Sequence, residues 1–502
     1  MDCRNCWIGF LVVLAVGTGA WAEAVAQDPI DRIREADLRA DLFALAGDHT
    51  RGREGGTLDE LRASAWLAER ARAAGLEPAG DDGTYFQFFP VERFRTSQGS
   101  RVVLAGRTLR MGTDVVPAAT GLGHLTAPVV VLSDPTPEAL GGPFDGRAVV
   151  VRYRPAPGEP GTPQAFRNWA RTIERGLANR AAALVLLIPE EEEARQWSRL
   201  AFRLPRGAYG LDPHGTAEPR TASTGMPVLY VRDAALGGAM LAGASLDASL
   251  FTESFTYPSV NVVAKITGTD PDRRGQHVLF SAHQDHDGER YEVDGDAIWN
   301  GADDNATTSV ALLAIGRAFA ATPGRRSVLF VWHGAEERGL MGSRWYVVHP
   351  TVPKGSIVAV LNGDMIGRND PDTAALLGAV PPHRNSRALV DMALAANQAV
   401  SGFTVDHSWD DPAHREGWYY RSDHLPYARA GIPALFFTTL LHEDYHTPFD
   451  NPDRIDTAKL TRMTRWMYAT GRAVAEADAP PALDPDFKLE RCRDFTGNYC
   501  GG

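Results

Sequence analysis

The chain has 502 residues, 44% hydrophobic and 23% charged, with a formal net charge of −12. That is the composition of an ordinary globular protein too long for one core, so two domains plus tails are expected. The acidic balance and the lack of any long Lys/Arg block exclude a nucleic-acid partner, which needs a clustered basic face.

In chain order, Met1 to Cys6, an apolar run from Trp7 to Val16 and a string of small residues read as an export signal over 1–26. Small-x-small sites end at Ala22 and Ala26. A periplasmic or secreted protein is expected. The run is too short for a permanent anchor and no later stretch reaches about 18 apolar residues, so no membrane span should remain after cleavage. Cleavage would remove Cys3 and Cys6 and leave Cys492 and Cys500, which an oxidising compartment could close into a small loop.

Residues 27–115 open with two helical patterns on either side of a Gly-rich break. In the second, Leu58, Leu61, Ala65, Leu67 and Ala71 recur at helical spacing, Thr57 or Asp59 can cap, and Gly75 ends the run. Strand-like segments follow over 84–112. Over 116–255 short strands alternate with Pro/Gly-rich loops and one clear helix, QAFRNWARTIERGLANRAA. Arginine is frequent between Arg152 and Arg220, but Glu190 to Glu193 interrupt it, and the stretch reads as a solvated mixed surface. This stretch looks like a smaller inserted α/β or β-rich domain, and its texture resembles the protease-associated domain. From 256 to 476 strands and helices alternate regularly, which predicts an α/β fold with a mixed, mostly parallel central sheet and helices on both faces. A Pro-rich tail occupies 477–502.

The chemistry lies in the 256–476 segment. His283, Glu336, Glu337, Asp364 and His446 each follow an apolar strand-like run: HVLFSA, SVLFVW, SIVAVLN or IPALFFTTLL. Buried carboxylates are rare unless paired or bound to metal, and the ends of α/β strands are where sites collect. In SAHQDHDG, Asp285 stands two residues after His283 and can hold one ring nitrogen's proton, aiming the other at a metal. In NGADDNATTS, an Asp at a helix start is ordinarily a cap, but Asp303, Asp304 and Asn305 together exceed what a cap needs. One of the two aspartates could bridge two cations. Of the adjacent Glu336 and Glu337, one can bind metal while the other acts as general base on a water. Oxygen and nitrogen donors without thiolate suit zinc, with Co2+ or Mn2+ as substitutes. A catalytic zinc takes about three protein ligands, so five ligands with one shared carboxylate make two sites.

The stretches SAHQDHDG, NGADDNATTS, GAEERGLMGS, LNGDMIGR, SDHLPYARAGIPAL and YHTPFDN resemble, as an ordered set, the M28 co-catalytic zinc peptidases of aminopeptidase type. The resemblance implies that Asp304 bridges, that His283 and Asp364 complete one site, and that Glu337 and His446 complete the other. It also makes Glu336 the base, Asp285 the orienting acid and Tyr445 an aid to carbonyl polarisation. Thr307-Thr308 departs from the Ser-Gly common in the family. The expectation is an exported di-zinc aminopeptidase acting on peptides. A carboxypeptidase or dipeptidase of the same fold, or a binding protein on that fold, are the alternatives. A rival motif, His442-Glu443-Asp444-Tyr445-His446, spells H-E-x-x-H, but needs a helix that Pro448 and Pro452 leave no room for. No G-x-S-x-G occurs, against a serine hydrolase.

Overall fold

The computed structural model describes residues 28–118, 123–155, 161–212, 225–353 and 355–489. The expected signal segment and the Cys492/Cys500 pair lie outside the described residues.

Four apolar runs make the centre of a ten-stranded sheet. Ala434–Thr438, Ile357–Gly363, His277–His283 and Ser327–His333 lie side by side and parallel. Continuous apolar sequence is what a strand covered on both faces requires. On one face Val278, Phe280 and Ala282 enter a core with the helices Glu35–Ala46, Leu58–Ala73, Thr308–Ala321, Arg387–Val400 and Thr457–Glu476. On the other, Leu279 meets Tyr346 and Tyr427 from the helices Met341–Val348 and His424–Arg429. This two-residue alternation sends successive side chains to opposite layers. The expected mixed α/β fold is therefore present. In this sheet parallel pairing is confined to the central four strands and an edge pair, and Thr252–Ile266 and Phe86–Thr96 are antiparallel.

Thr57 caps the helix Leu58–Ala73 through the Glu60 amide, and Gly75 follows it at φ 85°. The chain then leaves the first sheet at Thr96 and returns at Thr252, opposite each other in register, touching that sheet in between only through the short edge strand Ala208–Gly210 on Phe86–Thr96. Between them lies an eight-stranded sheet running from Arg101–Leu104 to Ser245–Leu250. The boundary read at 116 falls inside this sheet, because the strands at 101–117 share its texture and carry no marker of the change.

A second departure from the sequence reading is the helix Glu190–Arg206. Four glutamates in its first turn complement the helix dipole. Glu192 is buried and Glu193 pairs with Arg232, so the run is structural and not merely solvated surface. Beyond the last helix, the tail up to 489 lies along the chain: Ser386 Oγ donates to the Ala482 carbonyl at 2.7 Å and Arg384 to Asp484 at 3.2 Å.

Candidate metal centre

The parallel strands deliver the acids and histidines to one rim. His283 and His333 are in register at the ends of adjacent strands, and Asp364 follows the next strand, its amide donating to the Phe437 carbonyl at 3.1 Å. Since strand order reverses around His277–His283, this rim is the crevice where α/β sheets hold ligands.

His283 is fully buried. Its Nδ1 lies 3.0 Å from the Asp285 backbone carbonyl, which can only accept, so Nδ1 carries the proton. Nε2 then faces Asp304 Oδ1 at 3.2 Å, Asp364 Oδ1 at 3.5 Å and Glu336 Oε2 at 3.8 Å. The Asp285 carboxylate was expected to hold this ring, yet it stands 3.9 Å away. It instead accepts the amides of Glu336 at 2.9 Å and Glu337 at 3.4 Å, fixing the turn that presents both glutamates. Orientation of the histidine passes through the main chain of Asp285.

Asp304 does not cap a helix. Residues Ala302–Thr307 form an irregular turn in which Asp304 and Asn305 leave helical dihedrals, before the helix Thr308–Ala321. The Asp303 and Asp304 amides donate to Asp450 at 2.9 and 3.1 Å. Asp303 is turned elsewhere: its Oδ1 accepts the Gly367 amide at 2.7 Å and its Oδ2 is 3.4 Å from His442 Nε2. This separates two neighbours that sequence could not. Gly301, at φ 58°, allows the turn, since a Cβ there would sit 2.2 Å from His286 Cγ.

Two donor groups result, sharing Asp304: His283, Asp304 and Asp364, and His286, Asp304, Glu337 and His446. In the second, His446 Nε2 is 3.0 Å from Asp304 Oδ2 and 3.3 Å from Glu337 Oε1, and His286 Nδ1 is 2.8 Å from Glu337 Oε1. Segment 442–446 is a series of turns, not a helix, and His442 joins neither group. His283 Nε2, both His286 nitrogens, Glu337 Oε1 and Asp364 Oδ1 are buried without a hydrogen-bond partner. Orphaned donors of this kind, all nitrogen or oxygen, fit zinc.

The electrostatics agree with a cation requirement. Burial drives the Glu336 carboxyl well above the usual range, and Asp423, Glu337 and Asp364 add to this against His283. Burial likewise raises Asp364. Burial also works against ionising Glu337, but His446 and His286 hold it well below the usual range. Burial disfavours charge on His283 and His446 too, yet the surrounding carboxylates hold both well above the usual imidazole range.

The sequence model of Peptidase family M28 matches residues 261–471. These residues belong to peptidase family M28. The chain is 27% identical over 221 residues to a probable leucine aminopeptidase of Arthroderma otae, covering 41% of this chain and 57% of the relative. It is 30% identical over 198 residues to leupeptin-inactivating enzyme 1 of Streptomyces exfoliatus (38% and 39%), and 28% identical over 201 residues to aminopeptidase YwaD of Bacillus subtilis (38% and 41%). The chain thus spans about half the length of the curated relatives it matches. Among solved structures, an aminopeptidase from Aneurinibacillus sp. strain AM-1 superposes with a TM-score of 0.55 at 16% identity, covering 92% of this chain and 98% of its own. BSAP, a zinc aminopeptidase from Bacillus subtilis, gives 0.55 at 17% identity, with 91% and 99% covered. These likenesses establish the fold across both sheets.

Around the M28 centre stand groups the sequence reading missed. Asp423 accepts from Ser343 Oγ at 2.5 Å and is raised to about 7, chiefly by burial. Arg53, wholly buried, donates to four backbone carbonyls, those of Gln284, Leu45, Asn300 and Gly301, and so ties together the loops carrying His286 and Asp304. Asp287 accepts from Arg206 at 2.7 Å and lies 3.3 Å from His446 Nδ1. His286 had a visible signal, the H-x-D-H spelling, whereas Arg53 sits in a Gly-rich break with no motif. Tyr445 packs against His446 with ring centroids 4.0 Å apart and planes tilted by 36°, and its hydroxyl accepts from Arg421 at 2.8 Å. A cavity of about 830 Å³ opens beside His446 and Thr447, walled by Tyr291 and Trp299 and by Thr162, Arg195 and Arg199 from the second sheet's helices.

Proposed function

We propose that the protein is an exported di-zinc aminopeptidase. His283, Asp304 and Asp364 would hold one ion, and Asp304, Glu337 and His446 the other. The observation that carries this reading is the shared Asp304 between two orphaned donor groups, with Glu336 beside them. Two zinc ions, when bound, lower the pKa of water and polarise a carbonyl. Glu336 would take the proton from the attacking water and return it to the leaving amine. Its environment favours that exchange, because burial keeps its proton affinity high. Asp285 would keep the Glu336 turn in place, and Tyr445 would face the substrate carbonyl oxygen.

Removal of N-terminal residues is favoured over carboxypeptidase or dipeptidase action by the names of the matched relatives. A non-catalytic binding role would leave a missing ligand or base, and none is missing. Co2+ or Mn2+ could replace zinc. The 116–255 segment would act as a protease-associated-like wall of the cleft. Among the described residues no helix is long and apolar enough to cross a membrane.

The test is a screen of the zinc-loaded protein on aminoacyl amides, free-amine peptides and N-blocked peptides. Turnover restricted to free amines is expected. Equal turnover of blocked peptides would rule out the aminopeptidase assignment.

A further inference from the structure

We propose that His286 is a fourth protein ligand of the ion held by Asp304, Glu337 and His446, making the two metal positions unequal. The inference rests on the two-ion reading above. His286 is fully buried, its Nε2 has no hydrogen-bond partner, and its Nδ1 meets only the carboxylates of the donor group. A buried polar group without a partner costs on the order of 1–3 kcal/mol, and a ring wanted only for packing would carry no nitrogen. The ring is aimed at the donors and not away from them: Nδ1 stands 2.8 Å from Glu337 Oε1 and 3.9 Å from Asp304 Oδ2. Its plane crosses that of His446 at 84° with centroids 5.3 Å apart, so the two imidazoles converge from different sides. Donors around a tetrahedral zinc with bonds of about 2.0–2.1 Å lie roughly 3.3 Å from one another. The contacts within this group, 2.8, 3.0, 3.3 and 3.9 Å, bracket that spacing.

The placement is built in. The His286 amide donates to the Arg53 carbonyl at 3.2 Å. Gly301 gives the ring its berth, since any Cβ there would strike Cγ at 2.2 Å.

Four protein donors close a tetrahedral zinc, whereas three leave a position open. The open position then belongs to the ion of His283, Asp304 and Asp364. Glu336 sits on that side, with Oε2 3.8 Å from His283 Nε2. The four-donor ion is retained first and most tightly, and the three-donor ion is the exchangeable one that activity follows.

The experiment titrates metal-free protein and its His286→Ala variant with Zn2+ by calorimetry, and records X-ray absorption of the wild type loaded with one equivalent. The wild type should bind two ions in separable steps. The variant should lose about 100-fold in the tighter step and less than 3-fold in the weaker. The first equivalent should show two imidazoles. One imidazole there, or unchanged affinity in the variant, overturns the assignment of His286 while leaving two ions in place. Fewer than two ions on the wild type overturns the two-ion reading itself. The absorption measurement needs no variant, so a His286→Ala protein that fails to fold leaves the imidazole count to decide.

Discussion

Both sheets contain the same kind of strand, and only their rims differ. Ala148–Arg152, Ala183–Ile188 and Val228–Arg232 in the second sheet are parallel and nearly as buried as His277–His283, Ser327–His333 and Ile357–Gly363 in the first. In the second sheet the charges at the strand ends form ion pairs, Arg152 with Asp233 and Arg232 with Glu193, although Glu192 and Glu193 each keep one buried oxygen without a partner. In the first the charges are buried and several of their atoms have no partner. Carboxylates leave water at a cost that no stable chain bears without compensation. The unpaired rim therefore marks the part of the molecule that awaits a cation, and the paired rim the part that serves architecture.

Replacing Glu336 by Gln should produce the largest effect, because it removes the proposed base and keeps the shape. A fall in kcat of about 10²- to 10⁴-fold is expected with zinc content unchanged. Full activity in Glu336→Gln would erase the functional half of the contrast. Stripping zinc with a chelator should abolish turnover and lower Tm. Ligand at 1,000 times its Kd stabilises by about 4 kcal/mol, so calorimetric scans with and without chelator should separate clearly. An identical Tm would mean that the unpaired rim tolerates its own charge.

How much of this was legible follows from the same contrast. The rim acids announced themselves because apolar runs fix where a strand ends, and a carboxylate there has few structural uses. That reasoning reached His283, Glu336, Glu337, Asp364 and His446, which the fold gathers at one rim. It stopped at Asp303 and Asp304, because their difference lies in a non-helical turn that spacing does not encode. Arg53 and Asp450 escaped for a related reason: their partners are backbone groups far away in sequence. The helix Glu190–Arg206 was hidden by its own charge run, which looks like solvated surface until Glu192 is seen to be buried.

Glu60 gives a smaller effect, of pH. Buried, and accepting from Ser259 Oγ at 2.6 Å and the Gly56 amide at 2.5 Å, it is raised from 4.5 to about 8, first by burial and then by Asp285. An acid whose folded pKa is raised favours folding while protonated, and that contribution fades as pH climbs from about 4.5 to 8. Glu60→Gln keeps a neutral group of the same shape. Denaturant unfolding at pH 5 and pH 8.5 should show wild type losing on the order of 3 kcal/mol more than the variant across that interval. Equal slopes would mean that Glu60 ionises freely despite its burial.

The smallest effect should come from the paired rim. Arg232 donates to Glu193, and the Arg232 side chain is 33% exposed against 11% for Glu193. Water screens a pair of this kind, and exposed pairs contribute about 0–1 kcal/mol. Arg232→Ala also gives up the guanidinium resting 5.8 Å from the Trp197 ring centre, which adds at most about 1 kcal/mol at an exposed site. Unfolding free energy should therefore fall by about 1 kcal/mol, with zinc content and kcat/KM unchanged. The measurement bears on the second sheet as a whole, because Glu193 opens the same helix whose other end places Arg206 on Asp287, 3.3 Å from His446. If Arg232→Ala lowers kcat/KM several-fold, that helix transmits strain from the paired rim to the unpaired one, and the two sheets act as one device.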